Sequence, residues 1–315
     1  MNRDALQISK TIREFEGGFD TAFYILQAMG KLVGEFGLQD TDVVEAAILL
    51  KSKELLFVEC DDTFQDIIDD IIDDIMRHSG LYPYISDVES TFRDSLFYEI
   101  NSHPTDENFV FHNIQSKIFW DLVSGKNLIV SAPTSFGKSA VIDPLISYKK
   151  LRNVLIIVPT VSLLDETRKR MEVNFGDVYQ IVSHKRDRVD IERPKIFVMT
   201  QERAIERDDI EQLDLLIVDE FYKLDPSKDS GGDRYRSLNR ALYKYGKLAQ
   251  QIYLLGPNID FRKTELLGKQ FKIYQTDFQT VAVEIIENFG LSKDEKLQGA
   301  IEILSERRKE STLVL

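Results

Sequence analysis

The chain has 315 residues, 43% of them apolar and 30% charged, which excludes a disordered polymer and gives length for about two domains. Its only cysteine, Cys60, excludes an internal disulfide, no apolar run approaches the roughly 18 residues of a membrane span, and Met1-Asn2-Arg3-Asp4 lacks a signal peptide's apolar core, so a cytoplasmic protein with no membrane partner is expected. The net charge of −13 argues against nucleic acid until it is divided: residues 1–110 carry 23 acidic against 8 basic side chains (net −15), residues 111–315 carry 30 against 32 (net +2).

In chain order, Phe23, Ile25, Leu26, Met29, Leu32, Val33 and Phe36 recur at helical spacing. Val43, Val44, Ala47, Ile48, Leu50 and Leu55 do so behind an N-cap at Asp40 or Thr41. A third helix spans 64–76, with Gly80 and Pro83 as stops, and a weaker fourth covers 86–101. On the third, Asp69, Asp70, Asp73 and Asp74 stand at i, i+4 spacing on one face. That face reads as a solvated surface beside an inward isoleucine stripe, as a docking surface for a basic protein partner, or as a Mg²⁺ site. Residues 101–108 read as a polar loop.

From about residue 109 short β-branched runs alternate with helix-length segments: Leu128–Val130, Val154–Val158, Ile196–Met199, Leu215–Val218 and Ile252–Leu255. Such runs suit parallel strands buried on both faces, so the spacing predicts an α/β domain with a parallel sheet behind an all-α N-terminal domain. Phe119 and Trp120 are expected in its core. Residues 227–233 read as a flexible polar loop and 293–309 as a charged helix, after which Thr312-Leu313-Val314-Leu315 begins a strand. The expected division is 1–105, 106–285 and 286–315, the last a linker helix with the first strand of a truncated further domain.

The segment Ala132-Pro133-Thr134-Ser135-Phe136-Gly137-Lys138-Ser139 follows the first of these strands and opens a helix near Gly137. A loop at that junction aims backbone N–H groups and the helix N-terminus at an anion. Gly137 permits close approach of a phosphate. Lys138 is expected on the β- and γ-phosphates of ATP and Ser139 on Mg²⁺, with Thr134, Ser135 and Phe136 completing the cradle. The segment fits G-x-x-x-x-G-K-[ST] except that Ala132 holds the first glycine position. The second half of such a site is an acidic pair ending a later strand. Asp219-Glu220 supplies it, 81 residues after Lys138: Asp219 for Mg²⁺, Glu220 to orient and deprotonate the attacking water.

These segments resemble, in order, the superfamily 2 DEAD/DEAH-box-like helicases; the Ala-Pro-Thr-Ser-x-Gly-Lys-Ser form is most similar to the branch holding RNA-exosome and DNA-repair helicases, and it also resembles bacterial helicases of anti-phage defence loci. Ala132–Ser139 resembles motif I. Val158-Pro159-Thr160-Val161-Ser162-Leu163-Leu164 is similar to motif Ia and Val198-Met199-Thr200-Gln201-Glu202-Arg203 to motif Ib. Asp219-Glu220-Phe221-Tyr222 stands where motif II lies, and Leu255-Gly256-Pro257-Asn258 where motif III lies. Gln115 resembles the glutamine that reads adenine. The resemblance implies a RecA-like P-loop NTPase domain, ATP and Mg²⁺ as cofactors, and DNA or RNA contacted by Pro159, Thr160, Thr200, Gln201 and Arg203. It also implies a second RecA-like domain that supplies an arginine finger, a group worth about 10³–10⁵ in rate. Tyr222 replaces the family's Asp or His, and the Ser/Thr-Ala-Thr of motif III is absent. The expected function is an ATP-dependent helicase or translocase whose present portion binds nucleotide and hydrolyses it poorly alone. The alternative is a nucleotide-switched scaffold whose acidic helices recruit an effector such as a nuclease. The basic cluster His184-Lys185-Arg186-Asp187-Arg188 reads equally as a phosphate contact or as an exposed loop.

Overall fold

A computed structural model describes residues 2–37, 40–59, 65–85, 99–103, 106–133, 136–224, 234–257 and 264–276. All lie in one compact unit, Met1–Val281; a second unit, Ala282–Leu315, lies outside the described residues, as do the expected helix 293–309 and the strand at 312–315. The 227–233 loop, most of the fourth helix, and Asn258 of the motif III segment also lie outside them.

The N-terminal layer is helical: α1 (Arg3–Arg13), α2 (Phe19–Glu35), α3 (Thr41–Ser52), α4 (Glu54–Val58) and α5 (Gln65–His78). Asp40 is the N-cap of α3, accepting from the Asp42 and Val43 N–H groups, and its other oxygen holds the Asn2 amide at 2.9 Å. Asn2 in turn caps α1 through the Ala5 N–H, so one side-chain contact fixes the starts of both helices. The helix expected through Leu55 breaks at Lys53, whose ammonium reaches the Arg13 and Phe15 carbonyls at 2.7 and 3.0 Å. On α5 the four aspartates do not share one solvated face. Asp73 is buried and pairs with Lys51 at 3.5 Å, Lys51 also holds Glu54 at 2.5 Å, and Asp74 bonds Arg77 at 2.8 Å. Among the described residues no three acidic, His or Cys side chains gather as a metal site, which removes the Mg²⁺ reading of α5.

Within the segment expected as a polar loop, β1 (Ser102–His103) pairs antiparallel with β2 (Asp106–Val110) across a register shift. Beyond it α6 (Asn113–Val123), β3 (Asn127–Ser131), α7 (Ile142–Lys149), β4 (Asn153–Val158), α8 (Val161–Phe175), β5 (Gln180–Val182), β6 (Lys195–Thr200), α9 (Gln201–Ile205), β7 (Leu213–Val218), α10 (Arg234–Leu248), β8 (Ala249–Gly256), β9 (Glu265–Leu266) and β10 (Lys269–Gln275) alternate. The sheet order is β5-β6-β4-β7-β8-β3-β10-β9, parallel throughout except for β9 against β10.

Each central strand divides its apolar residues between two cores, as the period of two requires. Leu128 and Val130, Val154 and Ile156, Ile217, and Tyr253 with Leu255 face one core. That core continues through α6, α7 and α8 into α1–α5 as a single apolar cluster. Ile129, Leu155, Ile157, Leu216, Val218 and Leu254 face the other, covered by α9 and α10. Phe119 is fully buried as expected; Trp120 is not, since 42% of it is exposed at the layer's edge, where its indole N–H donates to the Ile100 carbonyl. In this parallel order the carboxyl ends of β3, β4, β6, β7 and β8 share one edge, the edge at which open α/β sheets bind ligands.

Candidate nucleotide site and sheet edge

The loop after β3 is pinned at its start by the Ala132 N–H on the Gly256 carbonyl (3.1 Å) and closed by the Phe136 N–H on the Pro133 carbonyl (3.1 Å). Phe136 is fully buried and anchors the loop; Thr134 and Ser135 lie outside the described residues. Gly137 has φ +72°, in the left-handed region, and starts a tight turn over Lys138–Val141 that leads into α7. The helix therefore opens as a 3₁₀ turn carrying Ser139, with its α-helical part beginning at Ile142, five residues after Gly137. Lys138 turns its ammonium back onto the loop, donating to the Ala132 and Pro133 carbonyls at 2.8 Å each.

Gln115 is buried, and both ends of its amide are engaged. Its Oε1 accepts from the His112 N–H (3.0 Å), capping α6, and its Nε2 donates to the Phe136 carbonyl (2.7 Å), with the Gly137 carbonyl at 3.5 Å. The residue expected to read adenine thus ties α6 to the phosphate loop.

Asp219 extends the β4–β7 ladder by donating its N–H to the Ile157 carbonyl at 2.9 Å, and its Oδ1 accepts from the Glu220 N–H at 2.8 Å. Glu220 has φ +51°, a strained conformation for a residue with a side chain, and its carboxylate contacts the Lys223 ammonium. Burial raises the Asp219 pKa and lowers that of Lys138, although each sits in the favourable field of opposite charge. Desolvation thus outweighs their mutual attraction. A divalent cation at Asp219 and a polyphosphate at Lys138 would supply the missing charge, and on that ground the donor set fits a metal–nucleotide.

Further along the edge, Pro159 is buried, while Thr160 is exposed and caps α8 through the Leu163 N–H at 3.2 Å. Thr200 and Gln201 are buried, Thr200 as the cap of α9 and Gln201 bonded to Glu202 at 2.8 Å, so neither presents its side chain to solvent. Arg203 is half-buried and donates to the Ser183 carbonyl at 3.1 Å. Sequence reasoning missed Arg207. It is 3% exposed, makes a two-bond fork to Asp209 at 2.8 Å each, and holds the His184 and Asp187 carbonyls at 2.5 and 2.8 Å. The basic cluster is thereby fixed beside α9, with His184, Lys185, Arg186 and Arg188 exposed and Lys185 paired to Glu206 at 2.7 Å. The Arg207-Asp208-Asp209 spacing was the available signal.

Residues 112–255 match the family model described as DEAD/DEAH box helicase. Anti-bacteriophage protein B of Escherichia coli (strain K12) is 41% identical over 230 residues, covering 70% of this chain and 31% of the relative; the chain thus spans about a third of that protein's length. A crystal structure of the DUF1998 helicase MrfA bound to DNA matches with TM-score 0.39 and 14% identity over 56% of this chain and 27% of that one. Among the described residues no helix is long and apolar enough to cross a membrane. The matched segment, just under half of the chain, runs from α6 to β8 and holds Gln115, the phosphate loop and the acidic pair; over it the chain is similar to the DEAD/DEAH box helicases, with a mostly parallel, RecA-like α/β sheet.

Proposed function

We propose that this chain is the Mg-ATP-binding portion of a nucleic-acid helicase or translocase. The observation that carries the reading is the placement of Lys138, in the turn after β3, and Asp219, at the end of β7, on one carboxyl edge of the parallel sheet. In this reading Lys138 leaves the Ala132 and Pro133 carbonyls to meet the β- and γ-phosphates, Ser139 and Asp219 hold Mg²⁺, and Glu220 leaves Lys223 to orient and deprotonate water. DNA or RNA crosses the edge formed by Thr160, Arg203 and the 184–188 loop, with Pro159, Thr200 and Gln201 shaping that edge from beneath. Hydrolysis draws on a second RecA-like domain, which supplies an arginine finger and the other wall of the cleft. Residues 1–105 act as an accessory layer, 106–285 as the first RecA-like domain and 286–315 as the lead into the second. The role is defence against phage in the cytoplasm, by analogy with the name of the Escherichia coli relative.

A scaffold whose acidic helices hold a basic protein partner is the second reading. It is favoured by the net −15 of residues 1–110. ATPase measurement with and without DNA or RNA separates the two. The motor reading predicts weak turnover by this chain and strong, nucleic-acid-stimulated turnover by a chain that also carries a second RecA-like domain. Robust stimulated turnover by these 315 residues alone contradicts the division of labour. Phage protection that survives Lys138→Ala in the longer protein contradicts the motor.

A further inference from the structure

We propose that Tyr253 is a positioning residue of the nucleotide site: its hydroxyl, donated to the Lys138 carbonyl, orients the Lys138–Ser139 peptide and so aims the Ser139 hydroxyl at the metal of a bound metal–nucleotide. The inference rests on the nucleotide reading above. Tyr253 lies at the centre of the sheet, in register with Leu128 of β3 on one side and Ile217 of β7 on the other, between the strands that carry the phosphate loop and the acidic pair. It is fully buried in an otherwise apolar row, where a phenylalanine would fill the same space. A buried hydroxyl is costly unless it is bonded, and this one has its partner at the Lys138 carbonyl, 3.0 Å away.

The second contact of β8 with the loop gives that bond its meaning. Gly256, three residues on, accepts the Ala132 N–H at 3.1 Å. One strand therefore grips both ends of the phosphate loop: Gly256 at its entry, Tyr253 at Lys138, where the 3₁₀ turn begins. Gln115 holds the Phe136 and Gly137 carbonyls just before that point, from α6. The peptide that follows Lys138 carries the Ser139 amide, and Tyr253 fixes its plane through a group that contributes nothing else to the core. Burial keeps the phenol protonated, so it acts as a donor across the working pH range.

The test is equilibrium binding of a fluorescent ATP analogue to the 315-residue chain, with Mg²⁺ and with EDTA, for wild type, Tyr253→Phe, Ser139→Ala and the double variant. The proposal expects Tyr253→Phe to weaken binding about fivefold to tenfold with Mg²⁺ and less than about twofold in EDTA. It expects no further loss when Tyr253→Phe is added to Ser139→Ala, and a far-ultraviolet circular dichroism spectrum like that of wild type. Unchanged Mg²⁺-dependent binding, equal losses with and without Mg²⁺, additive losses in the double variant, or a Tyr253→Phe chain that does not fold each overturns it. A wild-type chain that binds no nucleotide overturns the reading of the whole site; wild-type binding with an indifferent Tyr253→Phe overturns this proposal alone.

Discussion

The Gln115 Nε2 sits 2.7 Å from the Phe136 carbonyl, and a Cβ added at Gly137 would lie 2.8 Å from that same nitrogen. The glutamine and the glycine are therefore one device: the space a side chain would need at Gly137 is filled by the amide that holds the loop. Gly137→Ala should cost about 1–2 kcal/mol from its positive φ alone and also displace Gln115. Chemical denaturation of Gly137→Ala, Gln115→Ala and the double variant measures this. The double variant is expected to be more stable than the sum of the single losses.

Gln115 also distinguishes clamping from base reading. With both amide ends engaged inside the protein, Gln115→Ala should weaken ATP and GTP binding alike, each by about tenfold. Gln115→Glu should be worse than Gln115→Ala, because a carboxylate would face the Phe136 and Gly137 carbonyls. A loss confined to ATP in competition titrations would instead support the adenine role.

Asp121 joins α6 to β10 by accepting from Lys126, Lys272 and Tyr274, all at 2.5 Å. Burial raises its pKa, but these three donors outweigh that and hold it down to about 2 from 3.8. A carboxylate depressed in the folded state adds stability that is complete above the unfolded value and lost as pH falls through the folded one. Asp121→Asn should therefore lower the melting temperature at pH 6, and its gap from wild type should close between about pH 4 and pH 2.

His112, before α6, has its pKa lowered by burial to about 4 from 6.5. The unfolded chain binds a proton in that interval and the folded chain does not, so stability falls as pH drops from about 6.5 towards 4. His112→Asn, which places an uncharged residue favoured at helix N-caps there, should flatten that part of the stability curve measured by urea titration.

The central strands were legible because burial on both faces leaves continuous apolar runs, as in Val154–Val158. β10 was not, since Lys269, Gln270, Lys272 and Gln275 interrupt its apolar positions on a strand near the sheet's edge. α1 went unread for a similar reason: its buried apolar residues Ala5, Ile8 and Ile12 are few among charged neighbours, and its cap, Asn2, is held by Asp40, far away in sequence. The phosphate loop and acidic pair were readable from local spacing. The contacts that set their geometry, Gln115 on Phe136 and Tyr253 on Lys138, span 21 and 115 residues and leave no local pattern.

Lys138 and Asp219, in this reading, form a metal–nucleotide site. Isothermal titration of Mg-ATP into the wild-type chain and into Lys138→Ala, with folding checked by circular dichroism, tests it most directly. The account predicts saturable binding by the wild type and a loss of about a hundredfold in Lys138→Ala, the scale of a charge-assisted contact to phosphate. A folded Lys138→Ala chain that binds Mg-ATP as tightly as the wild type would contradict it.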